Sequence, residues 1–351
     1  MESNKKNIRQ LSLQEITDFL TQNGEKAFRA KQIWQWIWQR GVTDFKDMTN
    51  LSRSTRELLE NHWYFDNLTP QRIQTASDGT IKTAWSLCDG EVIESVLIPG
   101  NQKYTVCVSS QVGCKLGCKF CATGTLLGFK RDLTAGEIFN QVSAAKKEAE
   151  NQGLPLSNIV FMGMGEPLLN YKNVMRAIER ITAEDGLAMS PYRITVSTSG
   201  IPDKIRQLAD DQVRFNLAVS LHAAKESTRS SLMPVNKAYP LQEVAESLKY
   251  FVSKTGTRPT FEYLLLKDIN DSLEDAKALA IYCRQFPIKI NIIEYNNVEG
   301  SSFRHSPDKK RDEFIKYLEN CHMVVNVRRS KGKDIDAACG QLAAKDAELE
   351  K

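Results

Sequence analysis

The sequence predicts an α/β fold: a partial (β/α)6, TIM-like barrel preceded by a small N-terminal helical domain and a β-hairpin extension. Three observations carry that expectation. From Tyr104 onward, short apolar runs alternate with amphipathic stretches. A pair of β-rich runs precedes them, and the first 65 or so residues carry helical spacing instead. The strands expected are Tyr104–Ser109, Asn158–Met162, Arg193–Thr198, Phe215–Leu221, Thr260–Leu266, Ile288–Tyr295 and Met323–Arg328. Candidate helices lie between them near 134–150, 172–184, 202–211, 241–254, 272–286 and 308–320. Crossovers of this length return each strand in the same direction, so the sheet should be parallel, and six or seven units suit an open or partial barrel. The expected divisions are 1–75 as a helical accessory domain and candidate RNA contact, and 76–103 as a hairpin linker. Residues 104–330 are the barrel, and 331–351 a C-terminal loop and tail.

In chain order, Ser12 followed by Glu15 makes a capping box, and Ile16, Phe19 and Leu20 give that first helix its apolar stripe. A second helix over Ala27–Arg40 carries Ile33, Trp34, Ile37 and Trp38. Tryptophans beside Lys26, Arg29 and Lys31 could stack on RNA, but packing between small helices is the favoured account. Thr80–Leu87 and Val92–Ile98 read as a hairpin closed near Asp89-Gly90, a pair suited to a turn needing positive φ at both central residues, and Pro99-Gly100 ends it. Ala343–Lys351 is a short charged tail expected to fray.

Composition bounds the class. A hydrophobic fraction of 41% supplies a core, and no run approaches the roughly 18 apolar residues of a membrane span. The start, Met1–Gln10, is polar without an apolar signal region, so the protein is expected to be soluble and cytoplasmic. In that reducing compartment eight cysteines read as metal or catalytic thiols before they read as disulfides. The net charge of +4 permits RNA binding without proving it. The basic runs at 26–31, 130–131 and 328–333 are ordinarily solvated faces, although the last leads directly to Cys339 and is a candidate phosphate guide.

Cys114, Cys118 and Cys121 place three thiols in a C-x3-C-x2-C run directly after the first barrel strand. Zinc sites normally take four protein ligands, whereas three cysteines suit an iron–sulfur cluster with one iron left open for another ligand. A zinc knuckle completed by Cys107 or a distant histidine stays open on spacing alone. Gly113 and Gly117 would let the loop wrap closely.

The triad, followed by Gly163-Met164-Gly165-Glu166-Pro167 after the second strand, resembles the radical S-adenosylmethionine superfamily. Further stretches resemble its RlmN/Cfr family of RNA adenine methyltransferases, over nearly the whole chain. These are Lys26–Ala30, Ser77–Thr80, Cys107–Cys114, Asn170, Ser197–Gly200, Ser220–His222, Met233–Asn236 and Asp334–Leu342. The resemblance implies a 4Fe-4S cluster on Cys114, Cys118 and Cys121. It implies S-adenosylmethionine held by Gly165, Glu166, Ser197, Ser220, Leu221, His222 and Asn296. The implied reaction is methylation of adenine C2 in 23S rRNA and tRNA by a monomer served by a flavodoxin-like or other low-potential electron donor. One S-adenosylmethionine would methylate Cys339, and a second would give the 5′-deoxyadenosyl radical that takes hydrogen from the S-methyl group. The carbon radical would join C2, Glu94 would take the C2 proton, and Cys107 would resolve the adduct by forming a disulfide with Cys339. Radical chemistry suits C2, an electron-poor amidine carbon that attacks a methyl sulfonium poorly.

The residues themselves are less specific. Glu94 alone is an acid in a hairpin strand, more often solvent-facing, and Cys107 is a thiol in an apolar strand, where an inert buried cysteine is common. Cys339 lies in a glycine-flanked loop expected to be mobile, and Cys88, Cys283 and Cys321 read as packing residues. Strand ends also collect Gly165-Glu166, Ser197, Ser220–His222 and Asn296 on one rim, where barrel active sites form. A C8-methylating enzyme of the same family and a non-catalytic iron–sulfur RNA sensor remain the alternatives.

Overall fold

Capping and apolar spacing build the N-terminal elements of the computed structural model, which describes residues 5–344. The expected capping box is present: Glu15 accepts the Ser12 amide at 2.7 Å while Ser12 accepts that of Glu15, opening α1 (Leu13–Gln22). Helix α2 (Phe28–Trp38) buries Ile33, Trp34, Ile37 and Trp38, and α3 (Arg53–His62) starts at the cap Ser52. A short parallel pairing of β1 (Lys6–Asn7) with β2 (Trp63–Tyr64) joins the two ends of this module.

The module is bonded to the barrel rather than tethered to it. Trp38, fully buried, meets Phe139 edge-to-face at 4.9 Å. Phe139 belongs to α4 (Ala135–Asn151). The buried Arg9 guanidinium lies 3.6 Å from Asp66, which also accepts the Thr134 hydroxyl at the start of α4. Burial pulls Arg9 down to about 10, and Asp66 offsets part of that. The tryptophans thus serve packing, as favoured from the sequence. Trp38→Ala is expected to cost about 3–5 kcal/mol, measurable as a fall in the urea midpoint with cluster binding retained in the folded fraction.

One ten-stranded sheet runs through the rest of the chain. Strands β3 (Thr69–Thr75), β4 (Ile81–Ser86), β5 (Val92–Gly100) and β6 (Lys103–Cys107) pair antiparallel. A separate hairpin follows, β7 (Gln111–Gly113) with β8 (Phe129–Asp132). Beside β6 the sheet continues in parallel through β9 (Leu156–Phe161), β10 (Ile194–Thr198), β11 (Asn216–Ser220), β12 (Thr260–Leu265), β13 (Lys289–Glu294) and β14 (Val324–Arg328). The helices between them are α5 (Tyr171–Thr182), α6 (Pro202–Asp210), α7 (Glu226–Leu232), α8 (Leu241–Thr255), α9 (Leu273–Cys283) and α10 (Asp308–Asn320). The expected barrel elements therefore appear in order, with strand ends within two residues of the apolar runs; most strands are one or two residues shorter, and β9 is one residue longer. No helix among the described residues is long and apolar enough to cross a membrane.

Several details differ. Thr69–Thr75, taken with the helical start, is a strand, because its place is set by pairing with β4 rather than by its own polar composition. The turn at Asp89-Gly90 has positive φ at Gly90 alone. Gly90 N–H donates to Leu87 O, and Leu87 N–H to Glu91 O, so a β-turn closed by a left-handed glycine replaces the two-residue form. Strand β5 continues through Pro99 and Gly100, since its register with β6 carries past them. Helix α7 and the β7–β8 hairpin were not foreseen; both are too short for periodicity to register. Beyond Ala344 the tail lies outside the described residues.

Candidate active site

A cavity of about 270 Å³ opens at the carboxyl ends of the parallel strands. It is lined by Cys107 at the end of β6, the three triad cysteines, Gly165, Glu166, Ser197, Ser220, His222 and Cys339. Glu94, Leu221 and Asn296 do not line it. The Leu221 side chain is fully buried and its carbonyl accepts from Arg229. Asn296 lies just behind the wall and donates to the Cys339 carbonyl at 3.3 Å.

The triad occupies the loop between β7 and β8. Gly113 makes that loop possible: its φ is +74°, and a Cβ there would sit 1.7 Å from the Gly128 carbonyl oxygen. Gly117 has open space around it, so only its φ of +61° asks for glycine. Burial pushes the Cys114 thiol up to about 11 and Cys118 higher still, because water cannot reach the thiolate. Such thiols ionise when a metal takes the place of the proton. Among the described residues no three His, Cys, Asp or Glu side chains converge to hold a single ion. A cluster in which each thiolate takes its own iron does not require that. Ser199 Oγ and Glu262 Oε2, both of residues lining the cavity, and Asn296 Oδ1 behind it are buried without hydrogen-bond partners. Orphaned polar atoms beside three thiols fit a site for an iron–sulfur cluster and a polar nucleoside cofactor.

The motifs around the triad form a frame. Gln111 accepts the Glu166 amide at 2.8 Å and donates to Asp132. Glu166 accepts the amides of Ser199 at 2.7 Å and Leu168 at 3.1 Å, which resist the upward push of burial on its carboxyl. Gly165 has φ +99°, and a Cβ there would meet Gln111 at 2.5 Å. His222 holds φ +56°, and its Nδ1 accepts from the Leu264 amide at 3.0 Å. Burial, with Arg229 nearby, lowers it to about 3, so the ring is neutral and carries its proton on Nε2. Its edge meets Phe120, inside the triad loop, at 4.7 Å.

Sequence reasoning missed Arg229. It is fully buried and donates to the carbonyls of Leu221 and Ser199 and to Asn236 Oδ1, tying the ends of β10 and β11 together. The signal available was Asn236, already part of a recognised motif without a stated role. Glu262 and Lys82 were likewise unforeseen, whereas Arg328 belongs to the basic run singled out from the sequence.

Cys107 and Cys339 meet in this cavity. Burial chiefly, and then Cys339, push the Cys107 thiol up to about 12, with a backbone hydrogen bond to Met162 and then Arg328 opposing. Cys339 is also raised by burial; Arg328 opposes, and Glu262 and Cys121 add to the rise. Cys339 is nonetheless an exposed residue, and it lines the cavity. The Cys339 loop is fastened rather than loose. Ala122 N–H donates to the Gly340 carbonyl at 2.7 Å, Thr123 Oγ1 to Leu342 at 2.6 Å and Gln341 to Asn297 at 2.9 Å. Of the other cysteines Cys283 is buried and Cys321 half-buried, whereas Cys88 is exposed beside the hairpin turn, where its thiol donates to the Asn67 carbonyl at 3.6 Å.

Glu94 is buried, not solvent-facing: Oε1 lies 3.1 Å from Lys82 Nζ, and Oε2 accepts two amides of the C-terminal segment. Among the basic runs, Arg131 is paired with Asp89 and Glu137, and Lys333 with Glu294. Arg328, Arg329 and Lys331 stand at the cavity.

Comparison with known proteins agrees with this geometry. A model of the ribosomal RNA large subunit methyltransferase N-terminal domain matches residues 6–64, and one of the radical SAM superfamily matches 108–280. A probable dual-specificity RNA methyltransferase RlmN of Flavobacterium johnsoniae is 49% identical over 350 residues, covering 99% of this chain and 100% of that one. The dual-specificity RNA methyltransferase RlmN of Geotalea uraniireducens is 43% identical over 338 residues, 96% of each chain. The crystal structure of a radical SAM methyltransferase from Sphaerobacter thermophilus superposes with a TM-score of 0.92 at 41% identity, covering 97% of this chain and 99% of that one.

Proposed function

The chain belongs to the RlmN family of dual-specificity RNA methyltransferases within the radical SAM superfamily, and from that premise we propose that it methylates C2 of adenine. The substrates proposed are an adenosine of the peptidyl-transferase centre in 23S rRNA and the adenosine beside the anticodon in tRNA. The enzyme would work as a cytoplasmic monomer supplied by a flavodoxin-like or other low-potential donor. The observation that carries the reading is the meeting of Cys107, Cys339 and the triad in one cavity. An iron–sulfur sensor has no use for two further thiols there.

Cys114, Cys118 and Cys121 would hold the 4Fe-4S cluster, and Gly165, Glu166, Ser197, the Ser220–His222 segment and Asn296 would hold S-adenosylmethionine. When bound, these groups supply the methyl group and the radical chemistry. Cys339 carries the methyl group as a thioether, and the carbon it carries forms the new bond to C2. Glu94 accepts the C2 proton. The Cys107 thiolate then attacks Cys339 Sγ, the sulfur–carbon bond breaks with its electron pair passing to the carbon now on C2, that carbon takes a proton to complete the methyl group, and a Cys107–Cys339 disulfide remains. Burial holds Cys107 mainly neutral, and a backbone hydrogen bond with Met162, followed by the Arg328 cation on the cavity wall, favours its thiolate. An adenine reaches this cavity only unpaired or extruded, and the basic side chains of Arg328, Arg329 and Lys331 suit its flanking phosphates.

Mass spectrometry of nucleosides from RNA treated with the anaerobically reconstituted enzyme tests the proposal. The expected product is 2-methyladenosine in both RNA classes; 8-methyladenosine, or no methylated adenosine, overturns it.

A further inference from the structure

Glu94 is fully engaged in a way that its role as a base does not require. One carboxylate oxygen, Oε2, accepts the backbone amides of Ala343 at 2.9 Å and Ala344 at 3.0 Å. The other, Oε1, faces Lys82 Nζ at 3.1 Å, and both side chains are nearly closed to solvent, 10% exposed for Lys82 and 3% for Glu94. Lys82 Nζ also reaches the Asp336 carbonyl at 3.5 Å. The turn before β4 grips the same segment from its other end: Ser77 N–H donates to Asp334 at 2.8 Å, and Gly332 N–H donates to Asp78 at 3.0 Å. Cys339 therefore lies between two points of attachment to the antiparallel strands.

Register explains why this carboxylate is available to the segment and close to the chemistry. Lys82 pairs with Val96, and Val96 pairs with Cys107. Side chains alternate along a strand, so Glu94, two residues before Val96, shares the face of Cys107 and Lys82. Cys107 and Ile98 on that face line the cavity, whereas Glu94 is covered by residues 343–344.

We propose that the Glu94–Lys82 pair is a latch on the segment carrying Cys339, and that Glu94 can take a proton from C2 only after residues 343–344 have left it. The latch rests on the proposed base role for its consequence: proton removal follows displacement of the segment and cannot precede it. Lys82 is a positioning residue that pairs with Oε1 and keeps Oε2 aimed at the amides. The bonding is of the strong kind, two amides on an ionised acceptor.

Hydrogen exchange of the full-length protein tests the latch without any reaction. In Glu94→Ala the amides of Ala343 and Ala344 should exchange about tenfold faster or more, the loss expected for a hydrogen bond to a charged group. Alkylation of Cys339 by iodoacetamide should speed up in parallel, while the Val108 amide, bonded within the sheet, stays protected. Lys82→Met should loosen the same two amides and Lys82→Arg should restore them, a rescue that a bulk packing role does not give. Unchanged exchange at 343 and 344 in folded Glu94→Ala overturns the latch. Should that variant not fold, Glu94→Gln keeps the shape and loses the ion pair; full protection there also overturns it. The base role is judged separately by whether Glu94→Gln stalls after the RNA adduct forms. A loosened segment with normal product refutes the base and leaves the latch, and the converse pairing does the reverse.

Discussion

Cys107→Ala is expected to accumulate a covalent protein–RNA species that survives denaturation, and Cys339→Ala is expected to yield none. Without Cys339 there is no carrier for the methyl carbon, so no protein–RNA bond forms. Without Cys107 the carrier is still methylated and its carbon still joins C2, but no neighbouring thiolate remains to break the sulfur–carbon link. The structure supplies what this asymmetry needs: Cys107 ends β6 on the cavity wall, close enough to Cys339 for the Cys339 thiolate to push the Cys107 thiol up, with Arg328 acting on both. A packing role alone predicts only a loss on the order of 1 kcal/mol of stability and no trapped RNA. Denaturing gels of the two variants with and without nuclease decide it. A nuclease-sensitive shifted band in Cys107→Ala alone supports the scheme. Its absence from folded, iron-loaded Cys107→Ala refutes the resolving role.

Replacing any one of Cys114, Cys118 or Cys121 by Ala should remove essentially all of the about four irons per chain that a 4Fe-4S cluster brings, together with its visible absorption. Three ligands on one short loop leave no spare thiolate, and the loop gives little room for a substitute. It is bonded through Cys114 N–H to Gly128, Lys119 N–H to Leu232 and Ala122 N–H to Gly340. Loss of the cluster should also loosen the Cys339 loop, which rests on Gly340 and Leu342 against residues 122–123. Iron analysis and absorption spectra after anaerobic reconstitution check the first effect, and hydrogen exchange at 340–344 the second. Stoichiometric zinc in the unmodified protein, without iron–sulfur absorption, would refute the cluster.

The sequence by itself determined whatever depends on neighbouring residues. Alternation of apolar runs with amphipathic stretches gave the parallel strands and their helices nearly to the residue, since side-chain period is a local property of the chain. Ser12 and Glu15 specified a helix start three residues apart. The triad was legible because one loop supplies all three thiols at a spacing with few other uses. What only the tertiary structure decided lies between residues far apart in the chain. Glu94 read as a solvent-facing acid because a lone acid in a hairpin strand ordinarily faces water. Its burial comes from Lys82 across a hairpin and from amides 249 and 250 residues away. Cys339 read as mobile because its loop is rich in small residues, yet bonds to residues 122–123 and Asn297 fasten it. Arg229 gave no periodic signal, being one cation in a short polar helix; it is functional ground only because two strand ends present carbonyls to it. Periodicity records which face of an element is buried, but not which distant backbone group completes a hydrogen bond. That choice is made by sheet register and loop docking, and at this site it places Glu94, the Cys339 loop and the buried Arg229.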